Sequence, residues 1–165
     1  SGYTKYANEW SGSALEMRPF EQDVFQTVSQ THRPIMDTIM SAVCHGMMSR
    51  FPGVKLATIE CGSQWIHNVI KDLNDGYGKL PHLFLEHPLE PIKRQLYIAP
   101  YWEDPLEGLT EAIGLDHILF NSDWPHPEGL ADPVEYAVYA RDDQGLPEAD
   151  VAKIMGANMF ELMGV

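Results

Sequence analysis

The run His117-Ile-Leu-Phe-Asn-Ser-Asp-Trp-Pro-His-Pro-Glu-Gly129 carries an apolar stretch of strand length straight into Asp123, Trp124, His126 and Glu128. A strand interior holds its backbone firmly, so a polar group just past the last apolar residue can be aimed at a metal or a substrate. His126 suits contact with a substrate, or the positioning of Asp123, because an imidazole donates readily to a carboxylate. The same pattern also suits a structural Asp that closes an Asx turn, and a loop histidine held between prolines. Residue pattern alone leaves both pairs of readings open.

Two other apolar stretches end in the same way. Val54–Ile59 leads to Glu60, and Gln95–Ala99 leads to Tyr101-Trp-Glu-Asp104. Glu60 is a candidate for substrate binding, or for accepting hydrogen bonds behind a site. Its carboxylate could equally be satisfied by the backbone amides of the Gly62-Ser63 turn. Trp65, Trp102 and Trp124 would form a wall for an aromatic or otherwise apolar substrate, although such side chains more often serve the core. His82, Glu86 and His87 lie at loop spacing with no second cluster to close a metal site, which favours a structural role. Ser63 and Ser122 lie in no nucleophile elbow, and no Gly-rich phosphate loop is present.

The elements that must position these residues follow from periodicity. Strands are expected at 54–59, 95–99 and 117–120, from apolar runs bounded by turn residues. Before the first, Ile35, Met36, Ile39, Met40, Val43, Cys44, Met47 and Met48 repeat at helical spacing, with Pro34 to open the helix and Phe51-Pro-Gly53 to close it. Trp65, Ile66, Val69, Ile70 and Leu73 form a second helical stripe. Asp104-Pro105 opens a third helix that stops at Gly114, Asp132-Pro133 opens a fourth, and a last one carries Val151, Ile154, Met155, Met159 and Leu162. Residues 1–30 and 74–92 read as long loops, with a short helix near Leu89 to Arg94. Strands alternating with helices build parallel sheets through right-handed crossovers, which makes this an α/β chain. Parallel strands end on the same side, so Glu60, the 101–104 group and Asp123 should share one rim. Both the doubly wound sheet and the β/α barrel place ligands there.

With 165 residues the chain suits one sizeable core. A formal net charge of −13 argues against nucleic acid and anionic membrane surfaces as partners. No segment has membrane-spanning length, and Ser1-Gly-Tyr-Thr-Lys5 lacks the features of a signal peptide, so a cytoplasmic location is the expectation. Cys44 and Cys61 lie in apolar segments without C-x-x-C spacing, which predicts buried, reduced thiols.

Phe51-Pro-Gly-Val-Lys-Leu-Ala-Thr-Ile-Glu-Cys-Gly-Ser-Gln-Trp65, Tyr97-Ile-Ala-Pro-Tyr-Trp-Glu103, Ile118-Leu-Phe-Asn-Ser-Asp-Trp-Pro-His-Pro-Glu-Gly-Leu130 and Ile154-Met-Gly-Ala-Asn158 occur in that order. Together they resemble the amidohydrolase-related family of metal-dependent β/α-barrel enzymes, the branch that includes aminocarboxymuconate semialdehyde decarboxylase. The resemblance implies that residues 1–165 are the C-terminal part of a (β/α)8 TIM barrel, about its last three strands. It implies Asp123 as metal ligand and proton acceptor, with one divalent cation, zinc first and manganese second. The family's His-x-His pair is absent from this sequence, so the resemblance also implies that the chain does not bind the metal alone. Asn121 stands where many members have Gly, and Glu60 stands where the decarboxylases often have His.

What the resemblance implies about chemistry is a metal-dependent hydrolase acting on a small molecule. The alternative is decarboxylation of an aromatic or unsaturated carboxylic acid. A third reading is a catalytically silent segment that associates, through open sheet edges, with the N-terminal barrel portion or with itself.

Overall fold

The computed structural model describes Val24, residues 32–127 and residues 129–165. Glu128 and most of the region read as an N-terminal loop lie outside the described residues. Helix α1, Arg33–Cys44, has Pro34 in its first turn, where a missing N–H costs nothing. The apolar stripe that predicted one helix through Met48 is broken at Gly46, whose φ of 68° is left-handed. A Cβ there would lie 2.9 Å from both Leu85 Cδ1 and Arg50 Nη1, so the glycine also permits close packing. The chain resumes as a single turn, α2, Met47–Arg50, and Met48 is fully buried.

Strand β1, Leu56–Thr58, is followed by α3, Trp65–Lys79, which buries Trp65, Ile66, Val69 and Leu73. This helix runs past Leu73 into the region expected to be loop. Gly76 and Gly78 weaken it by about 1 kcal/mol each relative to Ala. Tyr77 anchors the extension, packing edge-on against Phe84 at 5.5 Å and against the His87 ring at 4.6 Å. After a turn at Pro81–Leu83 comes the expected short helix, α4, Leu89–Gln95, which leads directly into β2, Leu96–Ile98. Glu86 and His87 make structural contacts, as expected: Glu86 holds Arg94 through two bonds of 2.8 and 3.1 Å, and His87 Nδ1 accepts from the Leu89 amide.

Helix α5, Leu106–Ile113, stops at Gly114 as the sequence predicts. Helix α6, Glu135–Asp142, is preceded by the expected cap, with the Val134 amide donating to Asp132 Oδ1. The last predicted helix is divided into α7, Glu148–Ala152, a π turn at Lys153–Ala157, and α8, Asn158–Met163. The Ile154 carbonyl within that turn accepts the Phe120 amide at 3.1 Å, and insertion of an outside donor into a helix ladder is a recognised cause of such widening.

Strands β1 and β2 are parallel, with Leu56, Ala57 and Thr58 opposite Leu96, Tyr97 and Ile98. The third predicted strand is reduced to one parallel bridge, Ile98 to Ile118, with the Leu119 amide donating to the Ile98 carbonyl. Its outer side is not bare, contrary to the expectation of two open edges. Asn158, 2% exposed, donates through Nδ2 to the Leu115 and Ile118 carbonyls at 2.9 and 2.7 Å.

Alternation along the strands produces two apolar layers. Leu96, Ile98 and Ile118 face the helices and join the main core with Trp65, Ile66 and Leu109. Tyr97, Ala99 and Leu119 face the other way, against Met159 and Leu162. No helix among the described residues is long and apolar enough to cross a membrane. Both cysteines are free, but Cys44 is exposed and Cys61 only half-buried, so the expectation of burial was wrong for them. Cys44 sits at the last position of α1, on the side of the helix away from Ile39 and Val43.

Candidate metal centre at the strand ends

Immediately past β1 the chain turns sharply. Glu60 has φ of 58° and Gly62 of 60°, both left-handed. That region costs a residue with a Cβ about 1 kcal/mol or more. Gly62 is required in this turn, since a Cβ would come within 2.7 Å of the Tyr101 ring. The turn is latched to the loop after β2 by one carboxylate oxygen. Asp104 Oδ2 accepts from the Ser63 amide at 2.7 Å, the Ser63 hydroxyl at 2.9 Å and the Tyr101 amide at 3.1 Å. Tyr101 in turn donates its hydroxyl to the Glu60 carbonyl at 3.2 Å. The Ser63 amide is therefore committed to Asp104, not to Glu60.

Past the third strand the same economy recurs. Asp123 has φ of 54°, and its amide donates to Asn121 Oδ1, while the Trp124 amide donates to Ser122 Oγ. Those neighbours supply the turn's side-chain acceptors, so the Asx-turn role falls to Asn121. No described residue donates to the Asp123 carboxylate. The loop folds back through His126 N–H to the Asp123 carbonyl and Leu130 N–H to the Ser122 carbonyl, each 2.9 Å. Gly129 allows this approach, because a Cβ there would sit 2.5 Å from the Asp123 carbonyl oxygen.

The two turns bring Glu60, Asp123 and His126 together, with one ligand atom from each lying within 4.8 Å of the others. Glu60 and His126 are exposed and Asp123 is half-buried. They line a cleft of about 490 Å³ with Tyr101, Trp102, Glu103, Asp104 and Asn121. Among its described lining residues none is Lys or Arg. The negative field is felt by neighbouring groups: burial first, then Cys61, Asp104, Asp123 and Glu60, pushes the Tyr101 phenol above its ordinary value. Burial, and then Glu60, likewise raises the Cys61 thiol, which disfavours a thiolate nucleophile.

Of the residues read as site candidates, Glu60, Trp102, Asp123 and His126 line the cleft and Trp65 and Trp124 do not. Trp65 is 1% exposed, and its indole nitrogen donates to the Gly62 carbonyl at 2.8 Å. That is a correction: Trp65 closes the core beneath the turn, because its place at the start of α3 points it inward. Trp124 is 67% exposed on the outside of its loop. Sequence reasoning missed the latch formed by Asp104, which had been read as a helix opener and as one of the 101–104 group on the rim. The Asp104-Pro105 pair signalled a turn but not its partner Ser63.

The amidohydrolase family model matches residues 25–161. The chain belongs to the amidohydrolase family. It is similar to a solved amidohydrolase of Mycobacterium avium subsp. paratuberculosis K-10, with 40% identity and a TM-score of 0.84 over 99% of this chain. It spans 40% of the length of that amidohydrolase, so the likeness covers part of a TIM barrel. None of the curated proteins matches it.

The donor set fits a divalent cation of the kind amidohydrolases bind. Two carboxylates and an imidazole suit zinc or manganese. An acidic cleft without Lys or Arg among its described lining residues is also what a cation would neutralise. The resemblance pointed to Asp123 alone as metal ligand. The structure sets Glu60 and His126 beside it, at positions read from the sequence as substrate contacts.

Proposed function

We propose that the chain carries part of the active site of a metal-dependent amidohydrolase, with Glu60, Asp123 and His126 holding one divalent cation, zinc or manganese. The single observation behind this reading is their convergence from two strand ends into one cleft. When bound, the cation supplies Lewis acidity that polarises a scissile carbonyl. One Asp123 oxygen accepts the proton of an attacking water and returns it to the departing nitrogen or oxygen. Tyr101, kept protonated, holds the Glu60 backbone in place. Trp102 excludes water from one side of the substrate.

A neutral amide, ester or lactone fits this cleft better than the aromatic carboxylate of the decarboxylase reading. Glu60, Glu103, Asp104 and Asp123 line it with no Lys or Arg among the described lining residues, and like charges in such a site oppose a second anion. The remaining ligands and the closure of the barrel come, in this proposal, from strands beyond these three, in a longer chain or an associating one.

Calorimetric titration with zinc and manganese of the barrel completed by those strands tests the reading directly. Asp123→Asn, Glu60→Gln and His126→Ala should each weaken binding more than tenfold, about 1.4 kcal/mol or more. Unchanged affinity in Asp123→Asn would refute it and return the silent-segment alternative.

A further inference from the structure

A second cleft, of about 340 Å³, adjoins the first, and Trp102 lines both. Its other walls include Leu130, Tyr136, Val138 and Tyr139. Tyr136 is 2% exposed, and its hydroxyl is buried with no hydrogen-bond partner among the described residues. A buried phenol normally finds a partner, since leaving its O–H unpaired out of water disfavours folding. The neighbouring Tyr139 hydroxyl is already engaged, accepting from Gln144 Nε2 at 2.9 Å. Burial, reinforced by Tyr139 and by Asp104 of the first cleft, pushes the Tyr136 phenol far above its ordinary value, so it remains a donor. The two remaining lining residues, Glu135 and Asp143, are exposed and acidic.

We infer that this cleft is a subsite for the distal part of the substrate, a neutral aromatic or aliphatic group whose carbonyl or ether oxygen accepts the Tyr136 hydroxyl. Trp102 then lies between that group and the reacting end. The acidic residues of the cleft exclude a carboxylate there. Its volume lies at the lower end of the range for small-molecule sites, enough for one ring or a short chain. The inference rests on the metal cleft being where the reaction occurs, but the occupancy of the subsite is measurable without metal.

Heteronuclear NMR of the isotope-labelled chain, titrated with acetophenone, toluene and benzoate, tests it. Acetophenone should saturably shift the Trp102 indole and the Leu130 and Val138 methyl signals, with benzoate at least fivefold weaker. Tyr136→Phe should weaken acetophenone about fivefold, the value of one neutral hydrogen bond, leave toluene unchanged, and melt no lower than the parent. Val138→Trp, an exposed substitution that fills the cleft, should abolish the shifts from both neutral probes. Absence of saturable shifts at Leu130 and Val138, or equal acetophenone affinity in Tyr136→Phe, would overturn the inference. Zinc titrated into a separate sample and followed at His126 tests the metal reading alone, so the two failures are told apart.

Discussion

The two ends of the parallel strands treat polar side chains in opposite ways. At the end where the strands begin, several charged and polar side chains are bonded to one another or to backbone. Arg94 grips Glu86 through two hydrogen bonds, and Lys153 meets Asp116 at 2.7 Å. His117 Nδ1 contacts the Leu96 carbonyl while its ring stacks on Tyr97 at 4.3 Å, and Asn158 serves two carbonyls. At the other end, Glu60 and Asp123 sit in left-handed backbone, near one another and near His126, in an acidic cleft. Of the acidic side chains described at that end, Asp104 is the one that structure consumes, and it fastens the two rims together. One end is thus organised for stability, and the other keeps donor atoms available at some cost in stability.

The sharpest way to break this contrast lies at Asn158. Asn158→Ala leaves the Leu115 and Ile118 carbonyls short of a donor in a buried setting and should destabilise by about 2–4 kcal/mol in urea denaturation. A loss below about 1 kcal/mol would mean that the starting end is not the stabilising one. At the rim the expected sign reverses. Glu60→Gly should be about 1 kcal/mol more stable than Glu60→Ala, because only glycine enters φ of 58° freely. Equal stabilities would remove the claim that the rim carries backbone strain.

The smallest effect concerns pH. The Arg94 hydrogen bonds hold the Glu86 carboxyl below the ordinary glutamate value. A depressed carboxyl contributes stability that is fully present above the unfolded pKa of about 4.3 and is lost as pH falls through the lower folded value. The pair is partly exposed, so Glu86→Gln should cost about 1 kcal/mol or less at neutral pH, and the gap should close in acid. A gap that persists in strong acid would assign the effect to packing instead.

Much of this was legible from local pattern. Period-2 and helical spacing located both paired strands, the bridge at Ile118, the cap at Asp132 and the stop at Gly114. Where pattern failed, a contact with another element had intervened. Tyr77 extends α3 beyond its apolar stripe by packing on Phe84 and His87. The Phe120 amide bonds the Ile154 carbonyl where the last helix widens into a π turn. Gly46 ends α1 early where Leu85 and Arg50 approach. Three Trp of equal promise went three ways, into the core, into the cleft and onto the surface, since aromatic character does not encode direction.

By itself the sequence determined that strands and helices alternate, and that Glu60, Trp102, Asp123 and His126 follow strand ends, because hydrophobic period and turn residues act over a few neighbours. Only the tertiary structure decided that Glu60 and His126 stand beside Asp123, that Trp65 lies in the core, and that Asp104 locks the rim. Those facts depend on two turns meeting across a sheet, and the distance between them is set by strand register and side-chain packing rather than by any spacing along the chain.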